Sequence, residues 1–287
     1  MKKNVSRAPS VSMYDDAART SAAVVIDRYS TSFGWATRLL GEPARTHVRS
    51  IYALVRVADE LVDDACQPWE PSTRARLLDD LHAEVHRAIA ERGSANLVVH
   101  AFALTAREYG IGPDLIDPFF TSMKADLTVK EHSDESLAGY LYGSAEVVGL
   151  MCLRVFVSGD QSAYDRLTPA ARRLGAAFQN LNFMRDLASD KQALGRTYFP
   201  GIDTSSFSDA EKNRIMDQID EDLAVAAAAI PALPASSRRA VRAAHGLFEE
   251  LSRRLRATPS SRILDSRVRV PGVVKARIIA RSVMRVR

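Results

Sequence analysis

The side chains best suited to chemistry lie in two distant acidic segments, Asp59-Glu60-Leu61-Val62-Asp63-Asp64 and the run from Gln179 to Asp190. In both, carboxylates recur four residues apart within stretches that otherwise read as buried helix. Carboxylates at that spacing share a helix face and repel by roughly 0.2–0.5 kcal/mol per pair. Burying them adds a desolvation penalty unless a cation neutralises them. Arg56, Asp59 and Asp63 step by three and four along one stripe, with Tyr52 one turn earlier. Ile51, Leu54, Val55, Val57, Ala58, Leu61 and Val62 leave little of that helix to face water. In the second segment Gln179, Asn182, Asp186 and Asp190 share a face, while Phe178, Leu181, Met184 and Leu187 fill much of the rest. Either stripe alone also reads as a solvated polar face. Two together, each with an arginine (Arg56, Arg185) able to meet a phosphate, point to a hard dication. Amides and carboxylates supply oxygen ligands only, which suits Mg²⁺ or Mn²⁺ and argues against zinc. Mg²⁺ keeps its remaining positions for water and substrate phosphate oxygens.

The elements that must present these stripes are helices. Almost every segment has a 3.6-residue period, and strictly alternating strand candidates are hard to find. Breakers divide the pattern at Gly41-Glu42-Pro43, Pro68 with Pro71, Gly110 with Gly112-Pro113, Gly159, and Gly195 through Gly201. Ser208 and Glu211 form a capping-box signature that opens a further helix. Roughly ten to twelve helices with short connections and no repeats are expected. With no long linker, the reading is one all-α domain over residues 1–287, of which 1–18 form a poorly ordered tail. Composition agrees: 46% hydrophobic and 26% charged residues belong to an ordinary globular chain. A net charge of +4 does not suggest a nucleic-acid partner. Cys66 and Cys152 offer neither a disulfide framework nor metal-ligand spacing, which fits a reducing cytoplasm. The basic N-terminus lacks a signal-peptide apolar stretch, and no run of eighteen apolar residues occurs. A soluble or peripheral protein is the expectation.

Five segments in order resemble the squalene/phytoene synthase family, head-to-head prenyltransferases of the all-α isoprenoid-synthase fold built around a central cavity. They are Tyr29 to Phe33, Asp59 to Asp63, Tyr140 to Leu150, Gln179 to Pro200, and Arg267 to Pro271 with Lys275. Tyr142-Gly143-Ser144-Ala145-Glu146-Val147 and Ala177-Phe178-Gln179 look most like the actinobacterial phytoene synthases. The resemblance makes Asp59, Asp63, Asp186 and Asp190 catalytic carboxylates that hold Mg²⁺, with Asn182 as a further ligand. It makes Arg56, Arg185, Ser32, Gln179, Asn182, Arg267 and Lys275 the diphosphate contacts, and places Tyr52 and Tyr140 at the reacting centre. The chain departs from the family in two places. Tyr29 stands where relatives often have histidine, and a C-terminal tyrosine is replaced near Phe248 or His245.

The reaction so implied joins two geranylgeranyl diphosphates through a cyclopropylcarbinyl diphosphate to give phytoene. No NADPH is expected, since no glycine-rich βαβ fingerprint is visible. Clustered cations would neutralise the leaving diphosphate. Aromatic faces such as Tyr52, Tyr140, Tyr142, Phe33 and Phe178 would stabilise a carbocation by about 2 kcal/mol when desolvated. Gly143 and Gly149 admit two readings, a close helix approach or room for a prenyl chain; the resemblance favours the second. The tail from Arg262 onward carries eight Lys/Arg and one Asp. Its face of Arg277, Arg281 and Arg285 suits either a helix packed on the domain or shallow contact with an anionic membrane, at the inner face of the plasma membrane. The alternatives are a C30 squalene or dehydrosqualene synthase using farnesyl diphosphate, and a non-catalytic assembly factor of the same fold.

Overall fold

Glycine and proline end the helices at the places the sequence marks. This computed structural model describes residues 12–30, 32–63, 68–194, 198–203 and 206–284, with backbone only for 32–33, 188–194 and 284. The first helices are α1 (Met13–Tyr29), α2 (Ser32–Thr37), α3 (Ala44–Asp63), α4 (Pro71–Glu91) and α5 (Leu97–Tyr109). They are followed by α6 (Pro113–Thr128), α7 (Asp134–Leu141), α8 (Val147–Val157) and α9 (Gln161–Leu194). The C-terminal third supplies α10 (Asp209–Ala229), α11 (Ala235–Ala257), α12 (Ser260–Asp265) and α13 (Gly272–Met284). No β-strand occurs among the described residues. A π-helical turn, Tyr142–Glu146, joins α7 to α8 without interruption.

Gly110 caps α5 in the left-handed region at φ 66°, and Ser158 does the same for α8 at φ 48°. The capping box at α10 is formed: Ser208 Oγ accepts from the Glu211 amide at 3.2 Å, and Glu211 accepts from the Ser208 amide at 2.8 Å. The tail expected over residues 1–18 is corrected for 12–18, while 1–11 lie outside the described residues. Helix α1 starts at Met13, capped by Ser12, and Ala18 is fully buried against the core. His100 on α5 then meets Asp15 at 2.8 Å, tying the first turn of α1 down.

Among the described residues two large apolar clusters form most of the interior, and a small third joins Ala18 and Ala22 to Ala53 and Ala101. One, with Ile51, Leu54, Phe102, Phe119 and Met151, packs α3 to α6 and α8 together. The other, with Leu181, Phe183, Met184, Ile219 and Leu255, packs α9 to α12. An eighteen-residue window within Asp134–Val157 reaches a mean hydropathy of 1.4, long and apolar enough by length and composition to cross a membrane. Its burial explains the composition otherwise. Tyr140, Val147, Leu150, Met151 and Leu153 are all buried in the two clusters, as in the core helix of a globular domain.

Gly143 in the π-turn settles one of the open readings. A Cβ there would lie 2.2 Å from both the Pro118 carbonyl and Ser122 Oγ on α6. It serves close helix approach. Gly149 both packs on the Ala171 carbonyl, 3.1 Å from a built Cβ, and lines a cavity.

Candidate active site

Helix α3 ends in the first acidic stripe. Burial, then the neighbouring Asp63, push the Asp59 carboxyl up to about 8; Arg56 opposes this, while Asp126 and Glu60 reinforce it. A third of the Asp59 side chain is nonetheless accessible, at 32%. The group thus faces a recess walled by protein and short of positive charge. Arg56 is partly committed elsewhere: it pairs with Glu60, lies 3.9 Å from Asp59, and sits 4.7 Å above the Tyr29 ring. Tyr29, the departure from the family pattern, is therefore a platform for Arg56. Tyr52, half-buried one turn earlier, is raised by burial and shares a side-chain hydrogen bond with Ser30.

Asp126 on α6 was not foreseen. It is buried and accepts from the Tyr140 hydroxyl at 2.8 and 2.9 Å on its two oxygens. Burial first, then Asp126, hold the Tyr140 phenol well above its usual range, and Asp63 adds to the effect. The Tyr140 ring lies 6.0 Å from Phe183 on α9 and 5.9 Å from Tyr198, and those two rings stack at 3.7 Å. The acidic end of α3 and the acidic half of α9 thus approach one another through Tyr140. Nothing marked Asp126 beforehand, because its stripe holds no second acid four residues away.

On α9, Asp186 is 17% exposed and already neutralised. Its carboxylate accepts from Arg185 at 3.0 Å and from Arg267, brought in from far along the chain, at 2.7 Å. Arg185, Arg267, Arg269 and Lys275 line one cleft together with Phe248. Burial and the Arg185 charge push the Lys275 ammonium below its ordinary value, the sign of cations crowded without enough anions. Arg269 is an addition to the predicted set. It follows Arg267 by two in the extended segment after α12, where alternate residues share a side. Asn182 is half-buried one turn before Asp186. The side chains of Ser32, Phe33 and Asp190 lie outside the described residues, as do Asp64, Cys66 and Gly195 to Thr197.

An apolar cavity of about 260 Å³ opens between α3, α8, α9, α10 and α11, lined by Val48, Gly149, Phe156, Phe178, Ala226 and Ala244 among others. Gln179 lies in this wall, so the structure sets it on the apolar cavity and apart from the cationic cleft. Phe178 lines the cavity, Phe248 lines the cleft, and their rings stack at 3.7 Å. The stacked pair is the wall the two spaces share. His245 instead bonds the Leu223 carbonyl at 2.9 Å inside the core, so Phe248 is the residue at the site. Cys152 also lines the cavity; burial pushes its thiol up to about 12 and leaves it unreactive.

Residues 26–273 match the family described as squalene/phytoene synthase. The chain belongs to the squalene/phytoene synthase family. It is 29% identical over 205 residues to the 15-cis-phytoene synthase of Pantoea ananas, covering 66% of this chain and 64% of that one. It is 26% identical over 273 residues to a phytoene synthase of Mycobacterium tuberculosis, an actinobacterial relative, covering 87% and 85%. Of the first curated relatives it matches, this squalene/phytoene synthase family member spans between 31% and 66% of their length. Among solved structures, a dehydrosqualene synthase superposes with a TM-score of 0.79 at 19% identity, covering 93% of this chain and 96% of that one. The fold is that of the isoprenoid synthases.

For the dication that the family reading implies, Asp59 and Asp63 fit. They are neighbouring carboxylates, one of them pushed towards neutrality, which a hard cation would return to the charged state. Asp186 fits only once its arginines have turned to another anion.

Proposed function

We propose that this protein is a Mg²⁺-dependent phytoene synthase, condensing two geranylgeranyl diphosphates head to head into phytoene by way of a cyclopropylcarbinyl diphosphate. The observation that carries the reading is the junction at Phe178 and Phe248, where a cationic cleft meets an apolar cavity. Its lining of Val, Leu, Ala, Gly and Phe side chains suits a hydrocarbon chain. A diphosphate ester with a prenyl tail has the matching polarity at each end.

Asp59, Asp63, Asn182, Asp186 and Asp190 would hold Mg²⁺, with Mn²⁺ as a substitute. When bound, the metal supplies positive charge against the leaving diphosphate. Arg185, Arg267, Arg269 and Lys275 bind the diphosphate oxygens, and Arg56 approaches from α3. Arriving phosphate competes with Asp186 for Arg185 and Arg267, so substrate binding frees that carboxylate. The stacked Phe178–Phe248 pair and the Tyr140–Phe183–Tyr198 group exclude water from the cation left behind and offer it ring faces. Tyr140, with its phenol pKa held high, stays neutral and does not trap the cation as a phenolate. The outcome is redox-neutral, without NADPH.

Incubating purified protein with Mg²⁺ and either farnesyl or geranylgeranyl diphosphate, with and without NADPH, tests this by product identification. Phytoene from the longer diphosphate alone is the expected result. A C30 product from the shorter one alone would replace phytoene with the squalene or dehydrosqualene reading, and no lipid product from either would end the synthase reading. The protein acts in the cytoplasm, with α13 as its peripheral membrane contact. Ile278 and Ser282 of that helix turn towards α11, while Arg277, Arg281 and Val273 stay exposed.

A further inference from the structure

A second set of ligand atoms converges away from that site. His82 and His86, four apart on α4, place their Nε2 atoms 3.1 Å from each other. Both meet the same oxygen, Asp117 Oδ1 on α6, at 2.9 and 2.7 Å. Asp117 precedes Asp126 by nine residues, which puts the two on opposite faces of α6, roughly 13 Å apart along its axis. The cluster is therefore separate from the carboxylates proposed to serve the reaction.

Three potential ligand atoms thus lie within 4.8 Å of one another. Each ring nitrogen carries at most one hydrogen, and an ionised carboxylate only accepts. If both Nε2 atoms are protonated, both donate to the same Asp117 oxygen, which brings the two donor nitrogens to 3.1 Å. If one is bare, its lone pair points at a carboxylate oxygen less than 3 Å away. A cation above the triangle takes the place of both protons and removes that crowding, because each atom then presents a lone pair to it.

The dimensions agree. Ligands about 2.0–2.2 Å from a metal lie roughly 2.9 Å apart when at right angles and roughly 3.4 Å apart when tetrahedral. The observed 2.7 to 3.1 Å spans the first value, that of one face of an octahedron. His82 is fixed in place by stacking on the buried Phe120 at 4.4 Å, and the Asp117 side chain is half exposed, so an ion has both a rigid seat and access. Two imidazoles with one carboxylate suit borderline transition metals better than Mg²⁺.

We propose that His82, His86 and Asp117 form a binding site for a borderline transition-metal dication of the Zn²⁺, Co²⁺ and Ni²⁺ class, which pins α4 to α6. The test uses the full chain, stripped with chelator and then titrated with Co²⁺ in excess Mg²⁺, so that oxygen-only sites are already filled. The expected result is a visible Co²⁺ absorption saturating at one equivalent, displaced by Zn²⁺, with a higher unfolding temperature in Zn²⁺ than in chelator. His86→Ala and Asp117→Asn should each weaken binding by roughly tenfold or more while circular dichroism stays that of the parent. The absence of Co²⁺ absorption in the parent protein would show a hydrogen-bonded cluster only and overturn the proposal. Unchanged binding in both variants would place the metal elsewhere and overturn it equally. Neither result bears on the synthase reading, which rests on other residues and is read by product formation.

Discussion

The Tyr140 hydroxyl donates to both carboxylate oxygens of Asp126, at 2.8 and 2.9 Å, inside the buried space between α6 and α7. A hydrogen bond to a charged group contributes about 1.5–3 kcal/mol. Tyr140→Phe should therefore lower the unfolding free energy by about 2 kcal/mol. It should also cut product formation sharply, since this ring links Asp63 to the aromatic group on α9. Chemical denaturation and product assay check the two effects. A variant as stable and active as the parent would remove Tyr140 from the site.

Gly143→Ala should destabilise severely, by about 3 kcal/mol or more, because its Cβ would meet the Pro118 backbone and Ser122 at 2.2 Å. Gly139→Ala, one turn earlier with nothing within 4 Å, should be neutral or stabilising by up to about 1 kcal/mol. Thermal unfolding of the pair separates close helix approach from a general intolerance of this helix to substitution.

Asp59→Ala should abolish turnover with helix content intact, as should Asp186→Ala. The two should differ without metal. Loss of Asp59 removes a carboxylate already pushed up to about 8, whereas loss of Asp186 strips Arg185 and Arg267 of their partner. Circular dichroism with a product assay decides, and near-normal turnover in either variant would reject its role.

Arg267→Ala should raise the KM for the diphosphate substrate by about tenfold, in line with the strength of charge-assisted contacts to phosphate. Arg253→Ala is the control. Among the described residues it pairs with Glu250 on an exposed surface, where ion pairs contribute little, and kinetics should not change.

The Asp15–His100 contact gives an acid-side signature. The His100 hydrogen bond is the largest influence on Asp15 and holds its carboxyl below the usual range. With the folded value depressed, the stabilisation is present above the unfolded value of about 4 and fades as pH falls through the folded value. Asp15→Asn should cost about 1 kcal/mol at neutral pH, discounted for partial exposure, and nothing once the pH lies below the folded value. Unfolding curves across that range check the sign.

Much of this was legible in the sequence because it is short-range. Helix periodicity, the Gly110 and Ser208 caps, and the stripes at Arg56–Asp59–Asp63 and Gln179–Asp186 depend on residues a few positions apart, and helical geometry converts such spacing directly into shared faces. The order of motifs was enough to suggest the family as well. What stayed hidden required partners far apart along the chain. Asp126 looked like any helical acid until Tyr140 reached it, and Arg269 acquired a role only where its extended segment met α9. Gly143 read as room for a lipid until α6 proved to fill the space. The same holds for the Phe178–Phe248 stack and for the meeting of His82 and His86 with Asp117. Such encounters are decided by how helices cross and how closely their backbones approach, and that depends on packing summed over the whole core.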